Sequence, residues 1–237
     1  SRDTVDRFLT DLELVVDDVF DRLVEQAARR GLLDSTYRID STHITAIQYN
    51  DEATWNYDST AEEHYYGFGC VIVSAGPKIP IAAEFTQRKQ INAETAMRVT
   101  KDALAVDTPM WMLGDSAYDI LEWHDFLLAQ GVVPIAPYNP RNADEPLDIE
   151  YRVEDRINEH TEEISLKPSV LAETYDHRTQ VERTNEACKN CGLGHVRARG
   201  RVHARTEVFV ALCLRVIVAI SNYERGHNPG RTKLKTL

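Results

Sequence analysis

The stretch 175–189, YDHRTQVERTNEACK, combines charged and aromatic side chains at spacings that would bring them together on a helix. At about 100° per residue, four of these side chains fall within an arc of about 60°: Tyr175, Arg178, Glu182 and Lys189. The opposite side carries small or apolar side chains suited to packing on a sheet: Val181, Thr184, Ala187, Cys188 and Cys191. A solvated face with i,i+4 ion pairs is the commoner explanation of such a helix. A chemical role therefore depends on what the rest of the chain brings to it.

Two aspartates outside this helix occupy positions where a binding site would form. Asp40 ends the predicted strand 37–42 as it gives way to polar residues, and Asp115 ends the predicted strand 110–113. These first and fourth strands of an α/β sheet can be neighbours, and ligands bind at strand ends. Neither aspartate has Lys or Arg directly beside it in sequence, so the pair would repel itself without a cation. Because the candidate ligands are all oxygens, Mg²⁺ or Mn²⁺ is the expected ion.

Each acidic residue also has an alternative explanation. Asp115 could cap the helix that follows it, and Asp40 could hydrogen-bond a turn. Glu186 lies one turn beyond Glu182 on almost the same face, so helical periodicity alone does not decide which glutamate would complete the site. Together, two aspartates at a sheet edge and a glutamate on a docking helix indicate a three-carboxylate site rather than a set of caps.

The chain resembles the catalytic DDE domain of bacterial and archaeal insertion-sequence transposases, in the group with a Y-R-E-K signature. Three motifs carry the resemblance: Asp40 in RIDST, Asp115 in LGDSAYD, and Tyr175-(2)-Arg178-(3)-Glu182-(6)-Lys189. The spacing matches at all four signature positions, and the similarity covers roughly residues 36–223. The resemblance implies a ribonuclease-H-like fold and cut-and-paste DNA transposition.

The same resemblance implies a role for each residue of these motifs. Three carboxylates would be the catalytic residues and the ligands of two Mg²⁺ or Mn²⁺ ions: Asp40, Asp115 and Glu182. The other signature residues would hold DNA phosphates near the transposon end: Tyr175, Arg178 and Lys189. Two metal ions activate the attacking water or 3′-hydroxyl and stabilise the leaving oxygen, and Asp40 is the expected bridging ligand. The family spacing favours Glu182 over Glu186. The expected partners are transposon ends and target DNA, with a homodimer during transposition.

Charge is unevenly distributed along the chain. The net charge is -11, yet residues 175–237 carry 12 Lys+Arg against 5 Asp+Glu. We expect arginines beyond the helix to follow the DNA backbone, although a solvated arginine run is the more ordinary explanation: Arg197, Arg199, Arg201 and Arg205. The chain has 20 Arg but 7 Lys, and such an acidic, lysine-poor composition is typical of a protein from a salt-rich cytoplasm.

Two alternatives compete with the transposase interpretation. Cys188, Cys191, His195 and His203 permit a zinc site, which would make the chain a structural binding module. The two cysteines fall on the predicted core face, which weakens that alternative. The other alternative is a truncated or repurposed DNA-binding protein without transposition activity.

Patterns of hydrophobicity predict the elements that would position these residues. The predicted strands are 37–42, 67–74, 79–85, 110–113 and 132–136. The predicted helices are 3–30, 92–105, 119–130, 175–189 and 205–223. Residues 50–64 are predicted as a loop and 137–150 as a connection, while 151–174 have no clear pattern. The expected fold is α/β, a ribonuclease-H-like mixed five-stranded sheet with flanking helices.

Three parts are expected along the chain. Residues 1–35 would form an N-terminal helix, which could be the remnant of an upstream DNA-binding region. Residues 36–225 would form the DDE catalytic domain, and residues 226–237 a basic tail. Four cysteines are too few for a disulfide framework. The longest apolar run, 208–220, contains Arg215 and is predicted as a buried helix rather than a membrane span. We therefore expect a cytoplasmic protein.

Overall fold

The computed structural model describes residues 2–58, 61–89, 92–137, 139 and 173–232. Its helices are α1 (Arg2–Glu13), α2 (Val16–Arg29), α3 (Ala93–Val106), α4 (Leu121–Ala129), α5 (Thr179–Lys189) and α6 (Arg201–Glu224), with a 3-10 turn at Ser116–Tyr118. Its strands are β1 (Thr36–Ala46), β2 (Thr54–Asp58), β3 (Glu63–Ala75), β4 (Ile79–Thr86), β5 (Trp111–Leu113), β6 (Val133–Ile135) and β7 (His195–Val196). The stretches 137–150 and 151–174 lie almost entirely outside the described residues.

Within the described ranges, seven strands form one mixed sheet, two more than predicted. The strand order is β2-β3-β1-β5-β6, with β4 also pairing with β3 and β7 with β1. β3 runs antiparallel to β1, β2 and β4. β5 runs parallel to both β1 and β6. The mixed sheet and its flanking helices confirm the predicted α/β fold class.

The two unpredicted strands are defined by their pairing, of β2 with β3 and of β7 with β1. β4 pairs with residues 69–75 of β3, which leaves residues 63–67 free to pair with β2. β2 lies in the stretch 50–64 predicted as a loop, and its Trp55 and Tyr57 are exposed. β7 has two residues and pairs with the end of β1. The loop prediction was wrong because the partner strand, not a local burial pattern, stabilises β2.

The N-terminal segment forms two helices rather than the single predicted helix 3–30. In the turn between α1 and α2, the Val15 N–H donates to the Leu12 carbonyl at 3.1 Å. No Gly or Pro marks this break, so the apolar periodicity predicted a continuous helix. α2 packs on α6, where the ring centroids of Phe20 and Phe209 are 5.8 Å apart.

The ends of α3 and α4 follow local sequence signals. The Asn92 side chain caps α3 by accepting from the Thr95 N–H at 2.8 Å, as predicted. Gly131 follows α4 with a φ of 74°, a conformation that glycine adopts without a Cβ clash. The start of α3 and the end of α4 therefore lie where the sequence indicated.

α6 is a long core helix, and it begins four residues before the predicted start at residue 205. Its Arg215 is fully buried. The guanidinium donates to main-chain carbonyls of Lys78 at 2.7 Å, Pro77 at 3.1 Å, Pro229 at 2.8 Å and Arg231 at 3.2 Å. These bonds fasten the segment after α6 to the β3–β4 turn. No helix within the described ranges is long and apolar enough to cross a membrane.

Candidate catalytic site

Parallel pairing of β1 with β5 places Asp40 and Asp115 at the same edge of the sheet. The register pairs Arg38 with Leu113, so each aspartate lies two residues beyond the last paired position of β1 and β5. β1 was predicted to end near Asp40. It instead continues beside β3 as far as Thr45 and ends at Ala46. The edge where the carboxylates meet therefore forms because β5 stops, while β1 continues past it.

The two carboxylates interact unfavourably across a partly buried space. Burial, and then the neighbouring Asp115, raise the pKa of Asp40 to about 6 from an ordinary value of 3.8. The Ser41 N–H, Lys89 and Arg178 favour the ionised form and limit this rise in the pKa of Asp40. An ionised pair at this edge therefore costs free energy that a bound cation would offset.

Asp115 also caps the 3-10 turn that follows β5. Its Oδ1 accepts from the Ala117 N–H at 2.8 Å, so the capping role considered for this residue is present. A Cβ on Gly114 would lie 2.7 Å from the Cβ of Tyr118. The buried Tyr118 ring can therefore pack beneath the end of β5 only because residue 114 lacks a side chain.

The predicted helix 175–189 is interrupted by a turn at residues 177 and 178. Residues 173–176 form a helical turn, and α5 begins at Thr179. The buried Arg38 side chain holds this turn because its Nε donates to the His177 carbonyl at 3.0 Å. The predicted core face of α5 is confirmed, since four of its residues are buried: Val181, Thr184, Ala187 and Cys188.

The exposed face of this region is ordered by contacts among the signature side chains. Arg178 Nη2 lies 3.0 Å from Glu182 Oε1, and the guanidinium lies 5.9 Å from the centre of the Tyr175 ring. Tyr175 packs against a small apolar cluster that includes Leu113 at the end of β5. Glu182 is 58% exposed, so its ion pair is worth less than about 1 kcal/mol. This glutamate can therefore change partner at little cost.

A cleft of about 380 Å³ opens between β1 and α5. The side chains that line it include Asp40, His43, Asp58, Lys89, Glu182, Asn185, Glu186 and Lys189. Asp115 is not among the described residues that line this cleft. Both glutamates of α5 face it, so the geometry does not choose between Glu182 and Glu186 as the third carboxylate.

The donor atoms suit a hard divalent cation, but the described carboxylates are not already grouped around one position. Among the residues that the structure describes, no three His, Cys, Asp or Glu side chains are close enough together to hold a metal ion. Two observations nevertheless fit a cation. Asp40 and Asp115 repel each other, and the buried Oδ1 of Asn185 has no hydrogen-bond partner among the described residues.

Comparison with known proteins decides the family. The family described as "Transposase DDE domain" matches residues 32–217. Two curated relatives, from two strains of Halobacterium salinarum, are each named as a probable transposase for insertion sequence element ISH11. Each is 68% identical over 230 residues, covering 97% of this chain and 70% of the relative. The chain belongs to the DDE transposases of insertion sequences.

A solved structure of a piggyBac transposase synaptic complex with hairpin DNA is also similar to this DDE transposase. The TM-score is 0.49 at 8% identity, covering 84% of this chain and 50% of that one.

The family assignment confirms the predicted function in DNA transposition and implies dependence on divalent metal ions in general. No observation favours a DNA-binding protein without transposition activity.

The arginines expected to follow DNA lie beyond the end of β1 that is distant from Asp40. β7 pairs with β1 as far as Ala46, six residues after Asp40. At about 3.3 Å per residue, that position is about 20 Å from the aspartate. The segment after β7 carries three exposed or partly exposed arginines at this end of the sheet: Arg197, Arg199 and Arg201.

Two of the predicted DNA-binding arginines have distinct surroundings. The Arg199 guanidinium lies 5.7 Å from the centre of the exposed Tyr49 ring. Arg205 Nη2 instead donates to Asp17 Oδ1 at 2.7 Å. Because this bond joins α6 to α2, Arg205 takes part in helix packing, and its contact with DNA stays a prediction.

A buried polar network beside the cleft was missed by sequence reasoning. Asp58 accepts from Lys89 Nζ at 2.7 and 2.9 Å and lies 2.6 Å from His43 Nδ1. The rings of His43 and Tyr65 are 5.0 Å apart. These contacts join residues far apart in sequence, so no local motif could have indicated them. The network holds the Lys89 cation near Asp40. This positive charge opposes the rise in the pKa of Asp40.

Asn185 was also missed, although its position carried a signal. It follows Glu182 by three residues and therefore lies on the same side of the helix. Its Nδ2 donates to Asp40 Oδ2 at 2.8 Å. This bond directly joins α5 to the aspartate on β1.

The zinc alternative has no support in the described residues. Burial raises the pKa of the Cys188 thiol to about 12, whereas zinc binds the thiolate. The metal search over those residues also finds no group containing Cys188, Cys191, His195 or His203. Cys188 therefore serves the core, as its predicted face indicated.

Proposed function

We propose that Asp40, Asp115 and Glu182 are the catalytic carboxylates of this transposase and that they bind Mg²⁺ or Mn²⁺, as two ions. The observation that carries the proposal is the β1–β5 register, which places both aspartates equally far beyond the paired strands. α5 supplies an exposed glutamate across the cleft. The substrates are the DNA ends of an insertion sequence and its target DNA.

The reaction is phosphodiester cleavage followed by strand transfer. In the first step a water oxygen attacks phosphorus and the 3′ oxygen leaves as a hydroxyl. In the second step this 3′-hydroxyl loses its proton and attacks a phosphorus of the target DNA, and the bond from that phosphorus to the target's own 3′ oxygen breaks. When bound, divalent cations lower the pKa of the attacking oxygen and neutralise charge at the phosphate. The role of Asp40, Asp115 and Glu182 is to hold that positive charge at a fixed place on the sheet edge.

Phosphate binding falls to cations on the same face of α5. Arg178 is ion-paired with Glu182 in the DNA-free chain. Transfer of this glutamate to the metal site would release the guanidinium for a bidentate phosphate contact. Lys189 lines the cleft and is exposed, and Tyr175 would stack on a base or bond a phosphate oxygen. The exposed Arg197, Arg199 and Arg201 would contact the backbone further along the duplex.

The remaining parts of the proposal concern assembly and location. Two DNA ends must be held together during transposition, which favours a homodimer. Action on DNA favours the cytoplasm of the host cell. We retain the division into residues 1–35, 36–225 and 226–237 as a proposal, with the first part packed on α6 through α2.

The test is metal-dependent nicking of duplexes that carry the ends of the insertion sequence. Asp40→Asn, Asp115→Asn and Glu182→Gln should each reduce nicking in Mg²⁺ or Mn²⁺ by at least about a hundredfold, because each removes charge that stabilises the transition state. Glu122→Gln, at an exposed position of α4, is the matched control and should keep native activity. Circular dichroism would verify that every variant is folded.

The same assay decides between the two glutamates. Undiminished nicking by Glu182→Gln together with loss in Glu186→Gln would move the third carboxylate by one helical turn. Native activity in both aspartate variants would overturn the proposed site altogether.

A further inference from the structure

Asn185 makes a direct hydrogen bond between α5 and the aspartate at the centre of the site. Its Nδ2 donates to Asp40 Oδ2 at 2.8 Å, across 145 positions of sequence. The Asn185 side chain is 7% exposed, so water competes little for this bond. An asparagine buried at this place restricts rotation of the Asp40 carboxylate.

The other end of the same amide is left unsatisfied. Asn185 Oδ1 is buried and has no hydrogen-bond partner among the described residues. A carboxylate only accepts hydrogen bonds, so an ionised Asp40 requires the NH₂ group of the amide to face it. The carbonyl oxygen is then directed elsewhere at a cost in free energy, since buried acceptors are normally paired. A buried oxygen in this state also occurs away from the cleft, at Asn222, so the surroundings of Asn185 must distinguish it.

The surroundings of this amide indicate what its oxygen can bind. Asn185 lines the same cleft as Asp40, Glu182, Glu186 and Lys189. A neutral oxygen among these carboxylates adds a ligand atom without adding to their repulsion. Mg²⁺ and Mn²⁺ accept amide oxygens, and Mg²⁺ usually keeps several waters that donate hydrogen bonds to nearby oxygens.

We propose that Asn185 is a positioning residue of the metal site, fixing the Asp40 carboxylate through Nδ2 and offering Oδ1 to the hydrated cation. This inference rests on the proposed function, because it assigns Asn185 to the metal site of Asp40. It adds a fifth residue to the four of the signature. The residue acts on the metal through geometry, and it transfers no proton or phosphoryl group.

A Mn²⁺ titration of the DNA-free chain, followed by electron paramagnetic resonance, tests the inference without requiring activity. Asn185→Ala should weaken Mn²⁺ binding by about tenfold or more, the usual effect of removing a residue that orients a metal ligand. Asn185→Asp should melt at lower temperature in EDTA than the native chain, because a second carboxylate then faces Asp40. It should also gain more thermal stability from Mn²⁺ than the native chain gains.

Asn222→Ala is the matched control. Asn222 is likewise buried on a helix, and its Nδ2 donates to a main-chain carbonyl. Its Oδ1 has no hydrogen-bond partner in the part of the chain that the structure describes. It lies on α6 beside Arg231 rather than at the cleft. Its replacement should lower the melting temperature while leaving Mn²⁺ affinity within twofold of native.

The possible results separate this inference from the proposed function. Native Mn²⁺ affinity in Asn185→Ala, with binding lost in Asp40→Asn, would overturn the role of Asn185 alone. An equal loss of Mn²⁺ affinity in Asn185→Ala and Asn222→Ala would also overturn it, because general destabilisation would then explain both. Absence of Mn²⁺ binding by the native chain, or undiminished binding by Asp40→Asn, would overturn the metal site itself.

Discussion

Asp40 is held in the cleft at an electrostatic cost. It is partly buried, faces Asp115, and has a pKa raised to about 6. A residue selected only for stability at this point of β1 would be uncharged. A bound cation would offset this cost, because it places positive charge beside the ionised carboxylate.

The raised pKa predicts how stability depends on pH in metal-free buffer. Between an ordinary value of 3.8 and about 6, the folded chain binds a proton at Asp40 that the unfolded chain does not. The contribution of Asp40 to stability is therefore most favourable below pH 4, falls as the pH rises to 6, and stays low above that. Asp40→Asn should remove this fall and stabilise the chain at pH 7 by up to about 3 kcal/mol.

Urea unfolding in EDTA at pH 4, 5, 6 and 7 would measure this effect. Asp51→Asn, at an exposed aspartate in a turn, should unfold with the same pH dependence as the native chain. If the unfolding free energies of the native chain and Asp40→Asn change in parallel with pH, the pKa of Asp40 is not raised and the prediction is wrong. In Mn²⁺ the stability difference should shrink or reverse, since the cation binds the ionised native site.

At the residue scale, local signals located the candidate carboxylates but not the side chains around them. Asp115 follows the end of β5 and helical spacing groups the signature residues, whereas β1 continues past Asp40. Lys89 could not be found in this way, because Asp58 contacts it across 31 positions of sequence. Asn185 could have been found from its spacing to Glu182, but periodicity gives no reason to prefer it to a core residue.

The position of α5 is set by an element it does not belong to. Arg38 on β1 is 2% exposed, and its Nε donates to the carbonyl of His177 just before α5. Its other nitrogens donate to both carboxylate oxygens of Asp34, at 3.2 and 3.0 Å. A single guanidinium therefore couples the start of the central strand to the start of the helix that carries Glu182.

Arg38→Lys is expected to loosen α5 specifically. Lysine keeps the charge near Asp34 but lacks the planar fork needed to bond Asp34 and His177 at once. We expect a loss of about 1–3 kcal/mol in unfolding free energy and faster amide hydrogen exchange in Thr179–Lys189 than in α4.

Arg29→Lys provides the control for this prediction. Arg29 pairs with Glu25 on the exposed side of α2 at 3.2 Å, and exposed pairs of this kind contribute little. Its exchange pattern should match the native chain. Unchanged exchange in α5 of Arg38→Lys would mean that packing alone, without the His177 bond, positions the helix.

Among the helices and strands, prediction failed where contacts with another element of the chain decide the structure. The break between α1 and α2 lies at Leu14 and Val15, both exposed and neither a helix breaker by type. β2 forms because β3 extends beyond β4. By contrast, α3, α4 and α6 carried caps, glycines or long apolar runs, and these features act within the element itself.

The whole molecule separates acidic and basic regions. The net charge is -11 although residues 175–237 are basic, so DNA approaches a mostly repulsive surface with a favourable strip. The strip begins at the cleft, which Lys189 lines, and continues to the exposed Arg199 after β7. The side chain of Lys189 lies beside Gly194, just before β7, so the two cations belong to one continuous part of the surface.

Contacts of Lys189 and Arg199 with different phosphates predict additive contributions of the two residues to DNA binding. Each neutralised phosphate adds about 0.9 to the negative slope of log affinity against log salt. Lys189→Ala and Arg199→Ala should therefore each reduce the slope by about 0.9, and the double variant by about 1.8. Fluorescence anisotropy with a random 40-base-pair duplex, from 50 to 300 mM KCl, would measure these slopes.

A control variant makes the salt experiment decisive. Arg205→Ala should leave the slope unchanged, because its guanidinium already pairs with Asp17 on α2. An unchanged slope for Arg199→Ala, or for Lys189→Ala, would place the DNA on a different path across the molecule.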